Sequence, residues 1–184
     1  MILTLKSRMM KYLFIFFTIY CGTLRAQIRE YPVIKSNGGI FDVPDAVEKP
    51  DPTLDYKIVV ELAGGSGRPG EINPGLINVA RMINLHSIGG VPTEKISVIV
   101  AVHNEASYSV MNNESYREKY KNDNPNLELY KELAEAGVKF FICGQSLVAR
   151  NIDRKKLSDD VGIATSMLTV LTTYQLRGYA WFKF

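Results

Sequence analysis

Two cysteines and two histidines are all that the 184 residues contain. So small a set excludes a disulfide-stapled scaffold, and two isolated histidines beside one mature-chain cysteine lack metal-ligand spacing, so no metal is expected. No serine sits in a nucleophile elbow, and neither a P-loop nor an internal repeat is present. No Lys/Arg cluster with interleaved aromatics appears either, which argues against nucleic acid as a partner. No organic cofactor is required by anything in the sequence.

What is present is ordinary globular composition, 46% hydrophobic and 22% charged, enough for a sizeable core. The N-terminus stands apart. From Met10, "MKYLFIFFTIYCGTLRAQ" places Lys11 before an apolar run, Tyr12 to Cys21, and a small residue before Gln27. This reads as a signal peptide cleaved after Ala26, with either Met1 or Met10 as the start, and predicts a periplasmic or secreted protein with no membrane attachment after cleavage. An uncleaved anchor is the alternative. Cleavage takes away Lys6, Arg8, Lys11 and Arg25, four of the 22 basic residues, and no acid; 18 basic side chains then face 19 acidic ones. The net basicity therefore belongs to the leader. The same cut removes Cys21 and leaves Cys143 without an intramolecular partner, so its thiol is buried and inert, paired between chains, or reactive.

Residues 27–53 hold Pro32, Gly38, Gly39, Pro44, Pro50 and Pro52, too closely spaced for a helix or a central strand. They predict an extended arm that wraps the domain, 54–184, or a neighbour. "YKIVVEL" (56–62) and "KISVIVAVH" (95–103) are β-branched runs that read as buried strands, and "VKFFIC" (138–143) is a third. Between them, apolar residues at helical spacing after Pro74 stop at Gly89-Gly90, and "NNESYREKYK" reads as a polar helical insertion. "NPNLELYKELAEAG" closes with Gly137 where a helix C′ glycine belongs. A last helix, roughly 165–177, ends on Gly178 before the strand "YAWFKF". Strands alternating with helices predict a three-layer α/β/α fold around a mostly parallel sheet of about five strands.

In such a sheet all strands present their C-terminal ends at one edge, where ligands bind. Three segments converge there: the loop from Gly64 to Gly70, His103 with Asn104, and Cys143 with Gly144 and Gln145. "GSGRPG" (65–70) fits the dinucleotide fingerprint but not its context, because Pro69 and Pro74 delay the helix and His103 stands where an acidic residue belongs. A thiol at a strand end, followed by a glycine and a helical turn, sits where free backbone N–H groups favour the thiolate. The alternative is a buried cysteine acting as a small hydrophobe, as the preceding Phe140, Phe141 and Ile142 suggest. His103 could act as acid, base or donor to that thiol, or be a satisfied polar group. Gln145 offers an amide, and Gly65 backbone that a ligand can approach.

"VKFFICGQSL", "NPNLELYKELAEAGV", "GLINVARMINL", "ISVIVAVHN" and "LTTYQLRGYAW" resemble the DsrE/DsrF-like family, in particular an exported branch with a Pro-rich arm. The likeness covers roughly residues 30–184, and "CGQ" after a hydrophobic strand is its most specific element. The resemblance implies assembly into homo-oligomers, often trimers or hexamers, and a strand-end cysteine that carries sulfur as a persulfide between a donor and an acceptor. Cys143 matches that position. Members of this branch commonly have His-Gly where this chain has His103-Asn104. The expectation is a sulfur carrier or sulfurtransferase-like protein working through Cys143; the competing one is a non-catalytic oligomeric module that binds a small ligand.

Overall fold

Among the described residues five strands form one sheet, and every pairing in it is parallel: β1 (Tyr56–Leu62), β2 (Ile96–Val102), β3 (Lys139–Cys143), β4 (Val161–Ala164) and β5 (Ala180–Lys183), in the order β4-β3-β2-β1-β5. The computed structural model describes residues 28–184; the predicted leader, its predicted cleavage point and Cys21 lie outside them. The helices are α1 (Pro74–Ile88), α2 (Asn113–Tyr120), α3 (Leu127–Glu135), α4 (Gly144–Ala149) and α5 (Met167–Leu176).

The layering follows from chain direction. From β1 to β4 each new strand is added on the same side of the last, so right-handed crossovers put the intervening helices on one face. The return from β4 to β5 runs the other way, and α5 lands on the opposite face. Two cores result. Ile58, Val60 and Leu62 of β1 join Val98, Val100 and Val102 of β2, Phe140 and Ile142 of β3, and residues of α1 and α3. The alternate residues Val59, Ile99 and Ala101 pack against Val170 and Leu171 of α5. Strand residues alternate between faces, so β-branched runs buried on both sides are what a central parallel strand needs.

Local chemistry sets the helix ends. Asn73 caps α1 by accepting from the Gly75 and Leu76 N–H groups, with Pro74 at the first helical position. Ser166 caps α5 through the Leu168 N–H. The predicted polar insertion is α2, capped by Asn112.

The arm docks on its own domain. Ile34 is fully buried, and Asn84 of α1 accepts from the Val33 and Ile34 N–H groups at 3.0 and 2.9 Å while donating to the Ile34 and Gly38 carbonyls. Gly38 has φ +71°, and a Cβ there would lie 2.5 Å from the Arg81 nitrogen, so only glycine fits. Among the described residues no helix is long and apolar enough to cross a membrane.

Candidate functional site

Cys143 is at once the last residue of β3 and the N-cap of α4. Its place in the topology is special. The chain leaving β3 goes to the face of α1 and α3, where Leu147 of α4 joins the core, whereas the chain leaving β4 goes to the α5 face. Adjacent strands whose outgoing connections part to opposite faces open a crevice between their ends, where α/β sheets bind ligands. Cys143 stands at that point, beside Thr165 and Ser166 from the end of β4.

Donors surround the thiol. The Ser166 hydroxyl lies 3.9 Å from Sγ. Burial raises the thiol pKa, but the backbone N–H groups of Met167 and Ser146, and the hydroxyls of Ser146 and Ser166, outweigh it and bring the pKa below its ordinary value. The sulfur is nevertheless covered: Cys143 is only 3% exposed.

Each neighbour has its own task. Gly144 is required by packing, since a Cβ would sit 2.8 Å from the Ala164 carbonyl oxygen and 3.3 Å from that of Thr165. Gln145 is exposed, and its amide lies 3.4 Å from the Thr165 carbonyl, tying α4 to the loop after β4. Asn104 adopts φ +51°, the left-handed region that asparagine tolerates better than most residues. Its N–H donates to the Ser146 hydroxyl at 3.3 Å, and its side chain accepts from Arg150. A chain of contacts thus runs from Asn104 through Ser146 to the Cys143 sulfur.

His103 lies on the same sheet face as Cys143. The ladder pairs Val102 with Ile142, so the next position sets His103 beside Cys143, and alternation turns both toward α5. The imidazole is engaged by the neighbouring strand: Nε2 lies 3.1 Å from Glu61 Oε1, and Lys183 Nζ donates to that oxygen at 2.8 Å. Burial pushes the Glu61 carboxyl up, yet the hydrogen bonds and charges of Lys183 and His103 leave it below the usual carboxylate range.

Gly65 does not join this group. It lines a separate pocket of about 170 Å³ with Ser66, Tyr108, Tyr116 and Tyr120, in which neither Cys143 nor His103 takes part. Among the described residues no cluster of His, Cys, Asp and Glu could hold a metal ion.

Glu61, Lys183, Ser146, Ser166 and Arg150 were not visible as site residues in the sequence. Glu61 alone left a signal, an acidic side chain near the end of an otherwise apolar strand.

The DsrE/DsrF-like family model matches residues 57–184. Among solved structures, a protein of unknown function from Methanobacterium thermoautotrophicum is similar in fold, with a TM-score of 0.53 and 18% identity over 70% of this chain and 99% of its own. Among curated proteins the chain finds no match.

Proposed function

The chain belongs to the DsrE/DsrF-like family, and on that premise we propose that it is an exported sulfur carrier whose Cys143 accepts, holds and passes sulfane sulfur as a persulfide. The observation that carries this reading is the cradle at the β3–β4 switch point, where N–H and O–H donors converge on one thiol and favour its anion. In the loading step the Cys143 thiolate attacks the outer sulfur of a donor R–S–SH. A new S–S bond forms as the donor's breaks, and R–S⁻ leaves with the electron pair, so the sulfur count and charge balance without an external oxidant. The same donors then stabilise the charged persulfide, and His103 positions or protonates it.

Self-association fits this reading. Leu168 and Leu176 of α5 and Trp181 of β5 are 65%, 90% and 50% exposed, an apolar surface that a second copy would cover in a trimer or hexamer.

Incubating the protein with a persulfide donor tests the proposal. Mass analysis is expected to show one added sulfur atom, removed by reductant and absent in Cys143→Ser. Failure to load under conditions where the denatured protein loads overturns it.

A second reading draws on the 3% exposure of Cys143: a non-catalytic module in which the cysteine is only a core residue. It predicts that the folded protein resists alkylation at neutral pH and that Cys143→Ser keeps every binding property.

A further inference from the structure

Glu61 is a carboxylate near the end of a central strand, 5% exposed and flanked by Val60 and Leu62. A buried charge disfavours folding unless it is paired, and here both partners meet one oxygen: His103 Nε2 at 3.1 Å and Lys183 Nζ at 2.8 Å. The three residues come from three adjacent strands, β2, β1 and β5, and Cys143 continues the row on β3. All four lie on the face covered by α5, at the edge where the strands end. His103 Nδ1 makes no hydrogen bond among the described residues.

We propose that Glu61 is the positioning residue for His103: it holds the Nε2–H tautomer and leaves Nδ1 free as the proton acceptor for the neighbouring Cys143, while Lys183 balances the carboxylate. The proton step is closed in itself. The Cys143 S–H bond breaks, its proton moves to His103 Nδ1, and the electron pair stays on sulfur as thiolate. The imidazolium so formed is stabilised by Glu61, the arrangement of base and orienting carboxylate that activates nucleophiles elsewhere. The charged and titratable groups around His103 are Glu61 from β1, Lys183 from β5, Cys143 from β3, and the ion pair of Glu105 with Arg150, which also binds the adjacent Asn104. The sole titratable side chain of α5, Tyr174, packs instead against Phe141 and Tyr179.

The proton's purpose rests on the sulfur-carrier reading, but the tautomer does not, and the test separates them. Only two histidines are present, and His86, its Nδ1 2.8 Å from the Met82 carbonyl, serves as an internal reference. Nitrogen-15 NMR of the mature protein is expected to show the Nε2–H tautomer at His103. Glu61→Gln keeps an acceptor but removes the charge, and lowers the His103 midpoint by about one pH unit; Lys183→Met leaves Glu61 unbalanced and raises it by about as much. His86 stays put in both. The pH profile of Cys143 alkylation follows the His103 midpoint in each variant. An Nδ1–H tautomer, midpoints that fail to move in opposite directions, or an alkylation profile that ignores them overturns the proposal. Lys183 is largely exposed, so its variant keeps the test open if the Glu61 variant does not fold. A protein that passes these tests yet never takes up sulfur loses the carrier function and keeps the Glu61–His103 pair.

Discussion

Gly144 carries the tightest steric constraint beside the thiol. A Cβ there would press on two backbone carbonyls, those of Ala164 and Thr165, and neither can rotate aside as a flexible side chain could. Gly144→Ala is therefore expected to cost about 1–3 kcal/mol in urea denaturation. The relief of that clash spreads the ends of β3 and β4, so Cys143 alkylation speeds up in the same variant. The position of Cys143 itself could be read from the sequence, because an apolar run followed by glycine and a helical turn marks a strand end. Its donors could not. Ser166 and Met167 are 23 and 24 residues further on, and only the pairing of Cys143 with Ala164 brings them to the sulfur.

The elements differ in how plainly they announce themselves. β1, β2 and β3 are β-branched or aromatic runs buried on both faces, and α3 ends on Gly137 as its pattern predicts. β4 is four residues long, contains Gly162, and has two exposed positions. An edge strand of that kind has no apolar run to find; its pairing with β3 makes it a strand. Missing β4 conceals the switch point, and with it the reason that Cys143 lies where it does. The short 3-10 turn Asn104–Val110 was likewise unmarked.

At the same level, Ser166 serves both α5 and the thiol. Ser166→Ala removes a helix cap at a cost of about 1 kcal/mol and takes a donor from the thiolate, so the alkylation midpoint of Cys143 rises. Folding lowers the thiol pKa. Ionised Cys143 thus stabilises the fold above the unfolded thiol's midpoint of about 8.5, and the contribution fades as pH falls through the folded midpoint. The stability deficit of Ser166→Ala is accordingly larger at alkaline than at mildly acidic pH, which urea melts across that range would show.

For the molecule as a whole, the α/β class was legible because alternating periods of strand and helix persist over the whole domain. The division into a well-filled face and one covered by a single helix was not, since it depends on the strand order. That asymmetry, together with the leader-like N-terminus, makes one measurement informative at the scale of the assembly. Native mass spectrometry of the protein expressed with its full N-terminus, for which we propose export and assembly, is expected to find chains beginning at Gln27, or its cyclised form, in complexes of three or six copies. Monomers, or chains retaining residue 10, refute the assembly or the cleavage respectively.

Cys143 ends β3 and begins α4 with no loop between them, and the start of α5 lies over its sulfur. Such a thiol cannot swing out to meet a partner; on the proposed carrier reading it becomes reachable only when the Ser166–Met167 end of α5 lifts. On the proposed carrier reading, sulfur exchange is then a two-stage process, opening followed by chemistry. Weak donors react at rates set by their own reactivity scaled by the open fraction. Donors reactive enough to capture every opening all proceed at one common rate, the opening rate of the protein, so on the proposed carrier reading the fold sets an upper limit on sulfur transfer that no choice of donor can exceed.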